Sequence, residues 1–344
     1  MNTFAKAVLG GLAFLASAPA WSQSSVELYG VVDEFVQYTD VGGPKVLNVN
    51  SSGLWGSRVG LRGSEDLGGG LKANFLLENG FVPNTGALAT SDTLFSRQAW
   101  VGLSGNWGEV KVGRQYSPLF LYMTTYIEGF NGGSFASGLI DFETYTVRTN
   151  NTITYFAPVF AGLQLSFGYG LGQSGNGLSG SPGSSAYVAF TYSGASFNAS
   201  GAYQEARDPT SDARQTVTYL GGNYVFDKYT VYAGIHTARE ALPLPIDKIV
   251  YTTSLRIRAT DFFTVSLGTA WLDDRTHETG DAWQVGAMCQ YAFSKRTIVY
   301  GALAFINNHG TQNQTLNGSA VTGVALAEPG ANPRGVQLGI THFF

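Results

Sequence analysis

In Leu163-Gln164-Leu165-Ser166-Phe167-Gly168-Tyr169-Gly170-Leu171 every odd-numbered residue is apolar and every even-numbered one is small or polar. That two-residue period is the signature of a strand with one apolar and one polar face. The pattern recurs along the chain. It appears in Leu71-Lys72-Ala73-Asn74-Phe75-Leu76-Leu77-Glu78 and in Ile249 to Ile257. In Val336 to Phe344 the residues Val336, Leu338, Ile340, His342 and Phe344 alternate with Gln337, Gly339, Thr341 and Phe343. Breakers place strand starts near residues 25, 54, 71, 95, 108, 150, 163, 185, 196, 214, 229, 248, 262, 281, 297 and 334, sixteen strands in all. Short links such as Ser64–Gly70, Gly105–Gly108, Phe226–Lys228 and Ser294–Arg296 alternate with longer ones at 40–53, 81–94, 116–149, 172–184, 205–213, 240–247, 273–280 and 308–333. Tight turns at one end and long loops at the other are the arrangement of a transmembrane β-barrel.

Composition narrows the class. Charged residues are 13% of the 344, about half the roughly 25% usual for soluble domains. Glycine supplies 45 residues and aromatics 13%, so the chain is not disordered. After residue 20 no run approaches the roughly 18 apolar residues of a spanning helix. A net charge of -4 argues against nucleic acid as a partner. One cysteine, Cys289, forms no intramolecular disulfide, and on the apolar parity of Trp283, Val285 and Tyr291 it reads as a lipid-facing or interface residue. His236, His277, His309 and His342 show no metal-ligand spacing, and neither metal nor cofactor is implied.

Residues 1–22 read as a secretory signal peptide: Lys6, an apolar core from Ala7 to Leu15, then Ala20-Trp21-Ser22, with Ala18-Pro19-Ala20 as a second cleavage site. Residues 23–344 form one barrel with no internal repeat or domain boundary. A soluble sandwich or propeller competes with this reading. Long, uniform strands weigh against it, as do a polar face of glycines and arginines and aromatics at strand ends: Tyr29, Trp55, Trp100, Trp107, Tyr155, Tyr169, Tyr192, Trp271, Trp283 and Tyr291.

Sixteen strands enclose an aqueous channel, where eight would close on their own side chains. Parity then assigns charges to the lumen, because a charge facing lipid at the midplane costs roughly 2–4 kcal/mol. Arg58 and Arg62 alternate with Val59 and Leu61. Arg97 faces inward if Trp100 faces outward, and Arg148 shares the side of Thr152 and Thr154. These four arginines form the expected basic side of a constriction. Glu27, Asp33, Lys72, Lys111, Arg256 and Arg258 are further inward charges, whereas Arg114 falls on the outward side and suggests a partner in a neighbouring subunit or loop. The longest link, Tyr116 to Thr149, is apolar and aromatic, with Gly129, Gly132 and Gly133 for bends. It needs a wall to pack on, and folded inward it turns its acids Glu128, Asp141 and Glu143 toward the arginines.

Several stretches resemble the general diffusion porins of Gram-negative bacteria, closest to the β-proteobacterial and neisserial type. They are Ser25-Val26-Glu27-Leu28-Tyr29-Gly30, Ser57-Arg58-Val59-Gly60-Leu61-Arg62-Gly63-Ser64-Glu65-Asp66-Leu67-Gly68, Ser96-Arg97-Gln98-Ala99-Trp100-Val101-Gly102-Leu103, Val112-Gly113-Arg114-Gln115, Asn150-Asn151-Thr152-Ile153-Thr154-Tyr155, Phe293-Ser294-Lys295-Arg296-Thr297 and the terminal Phe344. The resemblance implies an all-β, 16-stranded antiparallel barrel of the outer membrane. It implies a homotrimer among outer-membrane lipids, a third loop folded into the lumen, and a Phe344 read by the barrel-assembly machinery. The implied function is passive diffusion of ions and small hydrophilic solutes, with no enzymatic step. Three other readings compete with it. A channel specific for small organic anions would exploit the match of arginine to carboxylates. An outer-membrane hydrolase lacks a nucleophile motif beside His236, His277 or His309. A receptor role for loops 40–53 and 308–333 competes with plain solvated surface.

Overall fold

The computed structural model describes residues 25–130, 132–142, 145–172, 182–208, 213–240, 246–276 and 278–344. Residues 1–22, expected as a signal peptide, and Glu143 and His277 lie outside them. The strands are β1 (Ser25–Asp40), β2 (Val46–Ser51), β3 (Arg58–Gly68), β4 (Leu71–Val82), β5 (Ala87–Leu88), β6 (Gln98–Gly105), β7 (Gly108–Tyr116), β8 (Arg148–Phe156), β9 (Leu163–Gly170), β10 (Ser185–Ser193), β11 (Phe197–Arg207), β12 (Arg214–Phe226), β13 (Tyr229–Glu240), β14 (Ile246–Arg258), β15 (Phe263–Asp274), β16 (Ala282–Ala292), β17 (Thr297–Asn308) and β18 (Arg334–Phe343). Helices α1 (Pro118–Tyr126) and α2 (Gly138–Asp141) lie between β7 and β8.

All neighbours pair antiparallel, and β1 closes the ring by pairing with β18 on one edge and with β2 and β3 on the other. Closure leaves no unpaired edge in lipid, the condition for a sheet to span a bilayer. β2 and β3 are two halves of one wall strand, since both pair with β1, and β5 is a hairpin inside a loop. The barrel therefore has sixteen walls, as the turn spacing predicts. The start expected at 54 falls in the break between β2 and β3.

That break has a physical cause. Asp33, on the inner face of β1, accepts hydrogen bonds from the backbone N–H groups of Gly53 (2.7 Å), Leu54 (3.3 Å) and Trp55 (3.2 Å). The Tyr300 hydroxyl (2.9 Å) and the Thr341 hydroxyl also donate to it. A buried carboxylate with this many donors pulls residues 52–57 off the ladder and into the lumen. Asp33 is thus a buried structural anchor, which corrects its expected role as a charge lining water.

The outer wall carries Val36, Val101, Val112, Ile153, Leu165, Leu220 and Leu303, all exposed, as a lipid face requires. Three aromatics expected on that face sit elsewhere. Tyr29 points inward and donates to Glu78 Oε2 at 2.7 Å. Trp55 leaves the ladder with the break and meets Phe343 edge-on. Trp100 is inward because Val101 and Leu103 take the lipid side of β6, and the Lys111 ammonium sits 4.4 Å from the centre of a Trp100 ring. Arg97 still reaches the lumen, because it precedes the first paired residue of β6, Gln98.

Candidate functional site: the pore constriction

The link between β7 and β8, called L3 below, folds into the barrel as its composition predicts. Ser117 caps α1 by accepting from Phe120 N, with Pro118 opening the helix, and Ser137 caps α2 by accepting from Ile140 N. Leu119, Met123 and Ile127 are fully buried against Ala189, Ala202, Val217, Tyr219 and Ala238 of the wall. Glycines make the seat. A Cβ on Gly234 would fall 2.7 Å from Ile127 Cβ, and one on Gly268 2.6 Å from the Phe130 ring. Gly286 lies under the Ala136 carbonyl in the same way. The polar-face glycines therefore form the bed of the loop.

The tip is tied to the far wall. Gly129 N donates to Ser254 Oγ (2.7 Å), while its carbonyl accepts from Arg256 Nε (2.9 Å), Arg256 Nη2 (2.6 Å) and Ser266 Oγ (2.9 Å). Arg256 is inward, as parity predicts, but its charge is spent on the loop instead of facing open water. A second loop joins L3. Residues 314–322, between β17 and β18, enter the lumen, where Ser319 N and Ala320 N donate to the carbonyls of Gly53 (3.0 Å) and Ser52 (3.2 Å). Leu316 packs with Phe135 and Phe142 of L3. The expectation that 308–333 is solvated outer surface is corrected here: Leu316 and Val321 give this loop an apolar edge that the L3 core covers.

The cavity left between these loops and the wall measures about 1140 Å³. Its basic side is Arg58 of β3, Arg97 at the entry to β6 and Arg148 of β8, and Lys248 also lines it. Arg97 Nε donates to Glu78 Oε1 at 2.9 Å, and Arg58 Nε lies 3.8 Å from Glu78 Oε2. Arg97 and Arg148 both donate to the Tyr116 hydroxyl, the latter at 3.1 Å. The Arg148 guanidinium carbon stands 4.6 Å from the Tyr116 ring centre, and Phe120 stacks on that ring with centroids 4.9 Å apart. Three guanidiniums thus share one carboxylate and one phenol, which holds them close together at fixed positions. Glu78, Tyr116 and Lys248 are members that the expected constriction does not include. The parity of Glu78 with Lys72 and Asn74 is the available signal for the first.

The remaining charges fall elsewhere. Arg62 is four residues down β3 from Arg58, about 13 Å at the rise of a strand. There it forms a bidentate pair with Glu27 at 2.9 Å, half exposed, at the short-turn mouth, so it is not part of the cluster. Lys72 and Arg258 are exposed near that same mouth. Lys111 pairs with Glu109 at 3.2 Å and rests on Trp100 and Phe156. Of the acids expected on L3, Glu128 and Asp141 are not turned toward the arginines, and Glu143 lies outside the described residues. Glu128 is buried inside the loop, bonded to the Ser137 hydroxyl and to Leu139 N (3.2 Å). Burial pushes its carboxyl up to about 7, against the pull of those hydrogen bonds. Asp141 borders the cavity, but its carboxylate accepts from Asn317 N (2.6 Å) and Gln284 Nε2 (2.7 Å). Burial raises it well above the usual carboxylate range, with those donors opposing. Glu128 holds L3 to itself, and Asp141 ties L3 to the second loop and to β16, because a buried carboxylate takes whatever donors lie nearest. His236 is also buried, edge-on to Tyr145 behind L3, and is neither solvated nor part of a girdle.

A family model described as Gram-negative porin matches residues 6–311. Outer membrane porin protein 32 of Delftia acidovorans is 32% identical over 98% of this chain and 99% of its own. A major outer membrane protein P.IB of Neisseria meningitidis serogroup B is 27% identical over 82% of this chain and 88% of its own. Among solved structures, the anion-selective porin from Comamonas acidovorans superposes with a TM-score of 0.80 at 30% identity, covering 94% of this chain and 100% of that one. OmpT of Vibrio cholerae in its trimer form, at 14% identity and a TM-score of 0.69, covers 93% of this chain and 99% of its own and shares the fold. The chain belongs to the Gram-negative porin family. It is a multi-pass β-barrel of the outer membrane that forms a channel for passive diffusion of ions and small hydrophilic solutes.

Proposed function

We propose that the channel conducts anions in preference to cations, and that Arg58, Arg97 and Arg148 set this preference. One observation carries the reading: three arginines and Lys248 line the cavity, while Glu78, Asp141 and Glu128 are buried in hydrogen bonds. Charged rings at a narrow point select ions by sign, and fixed guanidiniums pair well with oxyanions. Solutes would pass by diffusion, with no chemical step assigned to any residue. Reversal potential in planar bilayers under a salt gradient tests it. Anion selectivity that weakens in Arg58→Ala and Arg148→Ala is the expected result, and cation selectivity of the unaltered channel would overturn it.

The same reading takes residues 1–22 as a cleaved export signal and 23–344 as the mature barrel. It takes the working unit as a homotrimer, a form carried by OmpT of Vibrio cholerae. Phe344 would be the assembly signal. Its backbone exchanges two 3.1 Å hydrogen bonds with Gly30, so the last residue is also the one that finishes the β1 seam.

A further inference from the structure

Glu34 lies on the outward side of β1, between Ser51 of β2 and Ile340 of β18 in the pairing register. It borders an apolar groove on the outside of the barrel, formed with Val36, Val49, Leu338, Ile340 and Tyr291. Its Oε2 is buried and has no hydrogen-bond partner, and no base pairs with it among the described residues. At the long-loop rim, outward charges are paired within the subunit, as in Asp40 with Arg334 and Arg239 with Asp247. Glu34 is not.

One outward base likewise has no carboxylate beside it among the described residues. Arg114 of β7 faces outward at the bulge between Gly113 and Gln115. It donates to the Ser96 carbonyl (2.7 Å) and the Asn150 side chain, both neutral, and pairs with no carboxylate among the described residues. The wall around it is low. β6 and β9 have 8 residues, against 13 in β12 and β14. At the usual tilt, 8 residues rise only about 20 Å, short of the roughly 25 Å apolar band of such barrels. Lipid covers the tall wall adequately, and the low wall calls for protein.

We propose that Glu34 of one subunit pairs with Arg114 of the next, so that the groove beside β1 and the low wall at β7 form the contact between copies of this chain. The inference rests on the trimer reading given above. A three-fold ring uses a heterologous contact, in which two different faces meet, and an acid on one face with a base on the other meets that requirement.

Disulfide trapping tests the pairing. Within one subunit the two positions are four strand spacings apart, about 19 Å of sheet, whereas a disulfide needs Cα atoms within about 7 Å. A bond between cysteines at 34 and 114 must therefore join subunits. With Cys289→Ser as background, Glu34→Cys and Arg114→Cys are combined and oxidised in native outer membranes. Covalent trimers, with dimers only when the two single variants are co-expressed, are the expected result. A non-covalent trimer in unheated gels without cross-links would overturn the pairing and leave the trimer standing. Absence of any trimer in the unaltered protein would overturn both. As a second arm, Glu34→Arg and Arg114→Glu should each lower the temperature at which the oligomer dissociates, and the charge-swapped double variant should recover it. No recovery, or a Glu34→Gln oligomer as heat-resistant as the parent, counts against the pair and for a lipid-facing carboxyl.

Discussion

Arg256 holds Gly129 from across the lumen: two of its guanidinium nitrogens donate to one carbonyl oxygen, at 2.9 and 2.6 Å. The loop tip therefore hangs on a residue 127 positions away in the chain. Charge-assisted hydrogen bonds of this kind contribute about 1.5–3 kcal/mol, or roughly a tenfold to hundredfold change in the ratio of docked to undocked loop. Arg256→Ala should give larger and noisier single-channel openings, because L3 then moves away from the β14–β15 wall. Conductance and noise equal to those of the unaltered channel would show that the apolar seat alone holds the loop.

Glu78 is the acid that Arg58 and Arg97 share. Glu78→Gln keeps its shape and removes its charge, so the cavity becomes more positive. The expected outcome is a reversal potential shifted further toward the anion value, several-fold in permeability ratio, with conductance in dilute salt rising for anions. A shift toward cations would mean that Glu78 orders the arginines more than it offsets them.

Glu128 gives the loop a pH dependence of definite sign. Its carboxyl titrates near 7 when docked and near 4.5 when exposed. The docked loop therefore binds the proton more tightly, and docking is strongest below about pH 4.5. That contribution is lost as pH rises through about 7. Amide exchange over residues 128–141 should quicken between pH 5 and 8 after correction for the intrinsic rate. In Glu128→Gln the corrected rate should be flat, and a slope that survives the substitution would place the titrating group elsewhere.

Asp33 closes the break between β2 and β3. Asp33→Ala leaves three backbone N–H groups and the Tyr300 hydroxyl without their acceptor, at a cost of about 3 kcal/mol or more. The folded barrel should lose its compact mobility in unheated gels at a temperature several degrees lower. Asp33→Asn should fall between the two, since its amide keeps one acceptor oxygen. Equal thermal resistance of all three would remove Asp33 from the account of barrel stability.

The strand order, the closure and the identity of the long inward loop are legible in the order of residues alone. The β9 period from Leu163 to Gly170 and the β18 period from Val336 to Ile340 each state which side meets lipid. Turn residues state where each wall ends. Arg58 and Arg148 are legible as inward by parity, because inward and outward alternate along a strand, whereas Arg97 shares the outward parity of Val101 and Leu103 and reaches the lumen only because it lies before the first residue of β6.

Arg62 shows what parity cannot say. It has the same inward sense as Arg58, and only its height along β3, fixed by the register with β1, separates the mouth from the constriction. Glu128, Asp141 and residues 314–322 show the rest. Their partners Ser137, Gln284, Asn317 and Gly53 are distant in sequence or reached through an irregular backbone, and no period marks them. The sequence by itself determined a sixteen-walled barrel with an apolar outside, because lipid on one side and water on the other act on every second residue. Only the tertiary structure decided which inward charges remain open to solutes and which are consumed in holding two loops together, because that depends on the donors each carboxylate meets once the loops are inside.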